Sequence, residues 1–416
     1  MINFLNEREL KYESNHFTHY LKRRDIMTNI AIGLIPSPDM PHKLINKISD
    51  YLADDIHNHV DDKTNWDFET HVASMVGTAE HMDKALDIAS NIKKQKNWDY
   101  TICITDLPSL SNNKTVICDI NLDDKTALIS VPALGAVNLK HKLRHFITFI
   151  VKYFFTSGSD KSLLKSKYFK LTKFNEVIPN EDNTQDNRKR IVSKTSFLGW
   201  FHLILGMTFS NEPWSAILDF KKIISVSFAT GTYIAIFSTP WDLSLDYEYW
   251  RLILLMLLSI SGMVGWLIYS YNLWERPNPK TQQSYRFIYN FTTLTTLFAI
   301  TIFNFAALFI LLTISTLLFV PPEIFSSWTS LNEKQPTFVN YINLIWFITS
   351  LGILAGAMGS TVENAEKIKR VTYSFRQYYR YKELEQDDDN TNSTNQASDY
   401  NNGKKLSHSE EDSNDK

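Results

Sequence analysis

The chain has 416 residues, with 43 Lys+Arg against 45 Asp+Glu and a net charge of −2. That length allows two or three ordinary domains, and the balanced charge leaves no basic excess for a nucleic-acid partner. Only Cys103 and Cys118 are present, both inside apolar strand-like runs, which argues against a secreted disulfide framework and for small buried hydrophobes in a reducing compartment. A disulfide between them stays open if their strands are neighbours. The opening MINFLNERELKYESNHF has no basic segment followed by an apolar one, so no cleaved secretory signal is expected. Composition then divides the chain: charged and globular to about residue 196, apolar from 197 to 359, and rich in Asp, Asn, Ser and Gln from 385 onward.

After a polar extension over 1–28, residues 29–155 alternate between strand-like and helix-like text. IAIGLI (30–35) reads as a buried strand; Asp39 and Pro41 signal a helix start, and Leu44, Ile48, Leu52 and Ile56 recur at helical spacing. Trp66, Phe68, Thr70 and Val72 alternate as a strand does, and Met82, Leu86, Ala89 and Ile92 form a second helical stripe. YTICIT (100–105) is a second buried strand, 115–121 and 126–131 read as a hairpin, and a helix over 138–155 closes the domain. The pattern predicts an α/β domain with a mostly parallel sheet in Rossmann-like layers.

Parallel sheets bind ligands beyond the carboxyl ends of their strands, which singles out PSPD, SMVGT and TDLPS with Ser37, Asp39, Gly77, Thr78, Thr105 and Asp106. Turn and helix-cap roles account for the same residues, since Ser, Asp, Gly and Pro belong in any loop. No GxGxxG follows the first strand and no GxxxxGK[ST] occurs, so the usual dinucleotide and P-loop devices are missing and no cofactor is assigned.

HKLRH (141–145) sets two histidines four apart as a zinc-protease helix does, but with Lys142 where the catalytic Glu would stand and no third ligand following. On a helix, Leu143, Phe146, Ile147, Ile150 and Phe154 share the apolar face. His141, His145, Thr148 and Lys152 point the other way, so a solvated face and no metal site are expected.

Residues 156–196 read as a basic, flexible linker. Within it KSLLKSKYFKLTKF (161–174) interleaves lysines with apolar residues, and against anionic lipid each basic residue contributes about 1 kcal/mol. A plain solvated linker explains it as well. FLGWFHLILGMTF (197–209) is apolar but too short to span, which suggests an interfacial helix over 197–210, or else a re-entrant element.

Four stretches in 211–382 approach or exceed the roughly 20 apolar residues a bilayer requires: 217–238, 252–271, 293–320 and 341–359, a predicted four-helix transmembrane bundle. The third exceeds what a bilayer needs and should tilt or extend beyond it. Lys and Arg gather before the first span, between the second and third, and after the fourth; the other loops hold mostly Asp and Glu. Both termini are therefore expected in the cytoplasm of a plasma-membrane protein. Trp214, Trp241, Trp250, Trp274 and Trp328 fall near predicted boundaries. The spans are almost without charge, which weakens a transporter reading. Asn304 is the most polar residue deep in a span, where a helix-to-helix hydrogen bond is expected. Gly352/Gly356 and Ser261/Gly265 permit close helix packing, with homo-oligomerisation through Gly352/Gly356 as the sharper alternative. The tail, 383–416, is too polar to bury a core.

Taken together, IGLIPSPDMP, NWDYTICITDLP, ISVPALG, GMTFSNEPWS, ATGTYIAIF, NLWERP and GAMGSTVEN resemble an uncharacterised family of bacterial membrane proteins that join a cytoplasmic α/β domain to C-terminal spans. Proteins similar to these are sometimes labelled methylenetetrahydrofolate dehydrogenase. The residues here carry neither a dinucleotide fingerprint nor a recognisable folate pocket, so the resemblance implies the architecture and no catalytic residue. The leading expectation is a membrane-anchored binding or regulatory protein. A tethered enzyme acting near Asp106 and a transporter or channel with a regulatory domain are the alternatives.

Overall fold

The computed structural model describes residues 29–73, 82–159, 165, 167, 172–176, 188–215, 220–277, 283–331, 334–359, 365–369 and 372. The 1–28 extension and the 383–416 tail lie outside them. Eight strands form one mixed sheet: β1 (Asn29–Pro36), β2 (Asn65–Thr70), β3 (Tyr100–Thr105), β4 (Leu110–Ser111), β5 (Lys114–Asn121), β6 (Thr126–Ser130), β7 (Thr172–Glu176) and β8 (Arg188–Ser193). Their order is β2-β1-β3-β6-β5-β8-β7, with β4 paired to β5.

The pairings β1–β2, β1–β3 and β3–β6 are parallel, while β5–β6, β5–β8, β7–β8 and β4–β5 are antiparallel. The expected mostly parallel sheet is thus parallel over one half only. The reversal starts at the turn after β5, where Asn121 Oδ1 accepts from the N–H groups of both Asp123 and Asp124 and sends β6 back along β5.

Alternation along the strands sorts their side chains to two faces. On one face Ile32, Leu34, Ile102, Ile104 and Ile129 meet α1 (Met40–His59), through Leu44, Ile48, Leu52 and Ile56, and α3 (Leu139–Phe155), through Leu143, Phe146, Ile147 and Ile150. On the other, Ile35, Cys103 and Leu128 meet Leu86 and Ala89 of α2 (Met82–Lys96), with Trp98. Helix α3 is covered on its flank as well as below. Arg144 makes a bidentate pair with Asp55 of α1 (2.6 and 2.7 Å), and Thr148, expected in solvent, is buried and donates to the Arg144 carbonyl.

The segment expected as a flexible linker supplies β7 and β8. Burial and charge act together: Ile191 and Val192 of β8 are buried, and Asp119 on β5 has no exposed surface and accepts from Arg188 Nε at 2.8 Å, Arg188 Nη2 at 2.9 Å and Arg190 Nε at 2.7 Å. A buried carboxylate needs such partners, and β8 brings both guanidinium groups to it.

Helix α4 (Ser196–Ser210) packs on the domain rather than standing apart from it. A Cβ on Gly206 would stand 2.1 Å from the Pro132 carbonyl oxygen of the 3-10 turn Pro132–Leu134, and one on Gly199 would stand 2.3 Å from Ser193 Oγ. Leu203, Ile204 and Met207 enter the domain core, while Phe197, Phe201 and Leu205, spaced by four, stay exposed.

Among the described residues three helices are long and apolar enough to cross a membrane: α7 (Tyr249–Tyr271), α8 (Gln283–Phe319) and α10, which begins at Phe338 and runs to Gly359. The first predicted span is instead a pair, α5 (Lys221–Ala235) and α6 (Ser238–Asp246), bent by 87°. Pro240 has no N–H to continue the α5 ladder. Trp241, expected as a boundary aromatic, is buried in the bend: its Nε1–H donates to the Ala235 carbonyl at 2.8 Å, and its ring stacks on Phe325 of α9 (Pro322–Ser327) and on Trp328. Trp214, Trp250, Trp274 and Trp328 are exposed.

A Cβ on Gly352 would meet the Ser227 carbonyl at 2.9 Å, and one on Gly356 would meet Ser227 Oγ at 1.9 Å. This stripe is therefore covered by α5 of the same chain, which takes up the face expected for a second copy. Asn304 is buried without a hydrogen-bond partner among the described residues, against expectation. One turn on, α8 meets its neighbours through Leu308 against Gly352 and Leu312 against Gly231, apolar contacts that offer its amide nothing.

Asp119→Ala would leave two arginines facing an apolar strand. The expected cost is about 3–5 kcal/mol, the usual result of removing one partner of a buried ion pair. A lowered midpoint in chemical denaturation, with early deuterium uptake in 188–193, is the outcome to look for.

Candidate functional site

The ends of β1 and β3 bring three of the six sequence-chosen residues together. The Ser37 N–H donates to the Ile104 carbonyl at 2.8 Å, which sets Ser37 beside Thr105 and Asp106. Thr105 Oγ1 accepts the Leu107 N–H, and Ser130 Oγ at the end of β6 donates to the Leu107 carbonyl at 2.7 Å. Ser37 is 1% exposed and Asp106 2% exposed. The Ser37 hydroxyl has no hydrogen-bond partner among the described residues. Asp39 does not join them: it stands exposed at the start of α1 with φ 68°, and its side chain makes no cap hydrogen bond to the helix. Gly77 and Thr78 lie outside the described residues. The edge thus gathers a buried carboxylate and the Ser37 hydroxyl.

The loop that leaves this edge reaches the longest helix. The Leu110 N–H donates to Tyr285 Oη of α8 at 3.0 Å, and Tyr285, Ile288 and Tyr289 belong to the core of the α/β domain. Further along, Thr208 of α4 bonds Thr295 of α8 at 2.7 Å, and Asn211 Nδ2 donates to Thr296 Oγ1 at 2.8 Å. Lys43 of α1 pairs with Glu212 at 2.8 Å, beyond the end of α4. The strand ends, α4 and the first turns of α8 make one polar and aromatic junction.

Sequence reasoning missed a cavity of about 130 Å³ between the domain and the first half of α4, lined among others by Thr115, Lys142, Lys167, Ser193, Gly199 and His202. These residues come from β5, α3, the 156–196 segment, β8 and α4, so no local motif announces them. Lys142 is the residue that replaced the glutamate in HKLRH. Its Nζ donates to the Leu134 carbonyl at 2.6 Å, and burial lowers its pKa below the usual lysine value. His141 is exposed and His145 half-buried, and no group of three or more His, Cys, Asp or Glu is placed to hold a metal among the described residues. Cys103 and Cys118 are free thiols on strands separated by β6, and burial raises the pKa of both.

Glu275, between α7 and α8, is the most perturbed carboxylate of the junction. Its backbone N–H donates to Asn290 Oδ1 at 2.7 Å, and burial pushes its pKa up to about 7 against the opposing pull of Arg286. Comparison with protein-family models, curated proteins and solved structures finds no match to this chain.

The Glu275 shift has a sign. A folded-state pKa near 7 against an ordinary 4.5 means that the native state holds the proton more tightly between those values. Its stabilising contribution is complete below pH 4.5 and is lost as pH rises through about 7. Thermal melts of the full chain in detergent should therefore fall from pH 5 to pH 8 and flatten in Glu275→Gln; an unchanged slope in the variant would remove Glu275 as the cause.

Proposed function

We propose that this is a multi-pass plasma-membrane protein with both termini in the cytoplasm. Its α/β domain binds a small ligand or partner at the strand ends, and the membrane helices anchor the domain and relay its state. The observation that carries this reading is α8. At 1.5 Å per residue its 37 residues extend about 55 Å against a hydrocarbon thickness of about 30 Å, so a continuous helix leaves the domain core and crosses the bilayer.

Contacts at the two ends of α8 support four crossings in a helical bundle, with α5 and α6 counted as one broken span. At the far end, Trp241 of α6 stacks on Phe325, the Ser330 N–H donates to Asp242 Oδ1 at 2.9 Å, and Tyr341 Oη donates to the Val320 carbonyl at 2.8 Å. At the domain end, Glu275 meets Asn290, and Gly356 near the end of α10 meets Ile223 near the start of α5. Each helix therefore runs from one end to the other in turn. The basic loops fall at the domain end, as a cytoplasmic domain requires. The resemblance to bacterial membrane proteins favours the same arrangement. Helix α4, with its exposed Phe197, Phe201 and Leu205, is read as lying in the cytoplasmic interface. Asp106 as an enzyme residue is the second reading, favoured by its burial beside a free hydroxyl.

Two measurements test the proposal. In intact cells a membrane-impermeant maleimide should label Ser330→Cys, whereas Lys140→Cys should react only after permeabilisation; the reverse pattern refutes the topology. For the ligand, the full chain in nanodiscs is screened against nucleotides, folates and metal ions. A true ligand at a hundred times its Kd stabilises by about 2.7 kcal/mol. That gain should appear in wild type and vanish in Asp106→Ala, while equal shifts in both proteins would exclude the strand-end site.

A further inference from the structure

The cavity beside α4 shares no lining residue with the strand-end cluster, and its chemistry is of one sign. Lys142 and Lys167 bring ammonium groups, Thr115 and Ser193 bring hydroxyls and His202 an imidazole, while the wall between them is Ile117, Ala133, Leu134, Phe146 and Leu198. No carboxylate lines it among the described residues. Lys142 Nζ uses one of its three donors on the Leu134 carbonyl, which leaves two. Thr115 is 1% exposed and its Oγ1 has no hydrogen-bond partner among the described residues. Buried hydroxyls are rarely left so. His202 Nδ1 lies 2.8 Å from the Leu198 carbonyl, which makes Nδ1 the donor.

We propose that this cavity is an anion site that takes a phosphoryl group, with Lys142, Lys167 and the Thr115 hydroxyl as its ligands and the apolar wall against the group that carries it. A cavity of about 150 Å³ takes a molecule the size of benzene, so one of about 130 Å³ has room for a phosphate. Glycine at 199 is part of the construction: a Cβ there would stand 2.9 Å from Thr115 Oγ1 and crowd the hydroxyl. The same chemistry has two sources. Leu198 lies at the cavity on α4, beside the exposed Phe197 and Phe201, so an anionic lipid headgroup could enter from the membrane side, whereas a soluble phosphorylated compound would enter from water. Because burial lowers the Lys142 pKa, anion affinity should decline with rising pH sooner than at a surface lysine.

The test uses the full chain in phosphatidylcholine nanodiscs. Inorganic phosphate is titrated by calorimetry, and native mass spectrometry scores retention of phosphatidic acid over phosphatidylcholine. Saturable phosphate binding identifies a soluble source, preferential lipid retention without it identifies the headgroup, and either supports the site. Lys142→Gln and Thr115→Val should each weaken the observed binding about ten-fold or more, while Lys140→Gln, an exposed lysine on the same helix, should not change it. Circular dichroism melts check that each variant folds, and Thr115→Val decides if Lys142→Gln does not. Absence of both kinds of binding, or binding indifferent to the variants, overturns the proposal.

Discussion

Everything in this molecule turns on a helix that has to satisfy two surroundings. The first turns of α8 bury Tyr285, Ile288 and Tyr289 with side chains of the α/β sheet, and the later ones bury Leu297, Ile300, Leu308 and Leu312 with the apolar helices. An α-helix closes its own backbone hydrogen bonds, so it can pass from a protein core into lipid without exposing a peptide group. A sheet or loop could not. The same continuity fixes what can sit around its start: the loop after β3, the end of α4 and the turn at Glu275 are each hydrogen-bonded to it.

A second constraint holds the sheet to that helix. Asp119 is buried in the middle of β5, and its two arginines come from β8, so the chain must return to the sheet after α3 before it can enter α4. That return places Ser193 under Gly199 and lets α4 settle on the Pro132 turn. A buried ion pair gives little net stability against an apolar replacement, but it penalises any arrangement that leaves a charge unmatched. Here its effect is to fix the path of the chain into α4.

Much of the domain was legible in the sequence, because periodicity reports burial directly. The stripe Leu44, Ile48, Leu52 and Ile56 lies in the core as its spacing predicted, and YTICIT is a fully buried strand. β7 and β8 were not legible, since their place depends on Asp119, some seventy residues earlier, and charged text looks the same in a sheet as in solvent. The bend between Ala235 and Ser238 was equally hidden: an apolar run shows length, whereas the turn is held by Trp241, whose Nε1–H donates to the Ala235 carbonyl. Of the chosen site residues, Ser37, Thr105 and Asp106 converge because adjacent parallel strands end together. The cavity could not be foreseen, because six separate segments build it; Lys142 had drawn notice only as a departure from a zinc motif and Lys167 only as part of a basic run.

The two proposed sites would act on different helices. At the strand ends, a ligand would act on the loop whose Leu110 N–H reaches Tyr285, and so on α8. In the cavity, an anion would act on α4 through the surface beneath Gly199 and His202. Helices α4 and α8 are themselves joined, by the hydroxyls of Thr208 and Thr295 and by Asn211 with Thr296. If occupancy of one site shifts this joint and the joint in turn shifts the other site, each ligand alters the other's affinity by the same factor, since coupling between two binding equilibria is reciprocal.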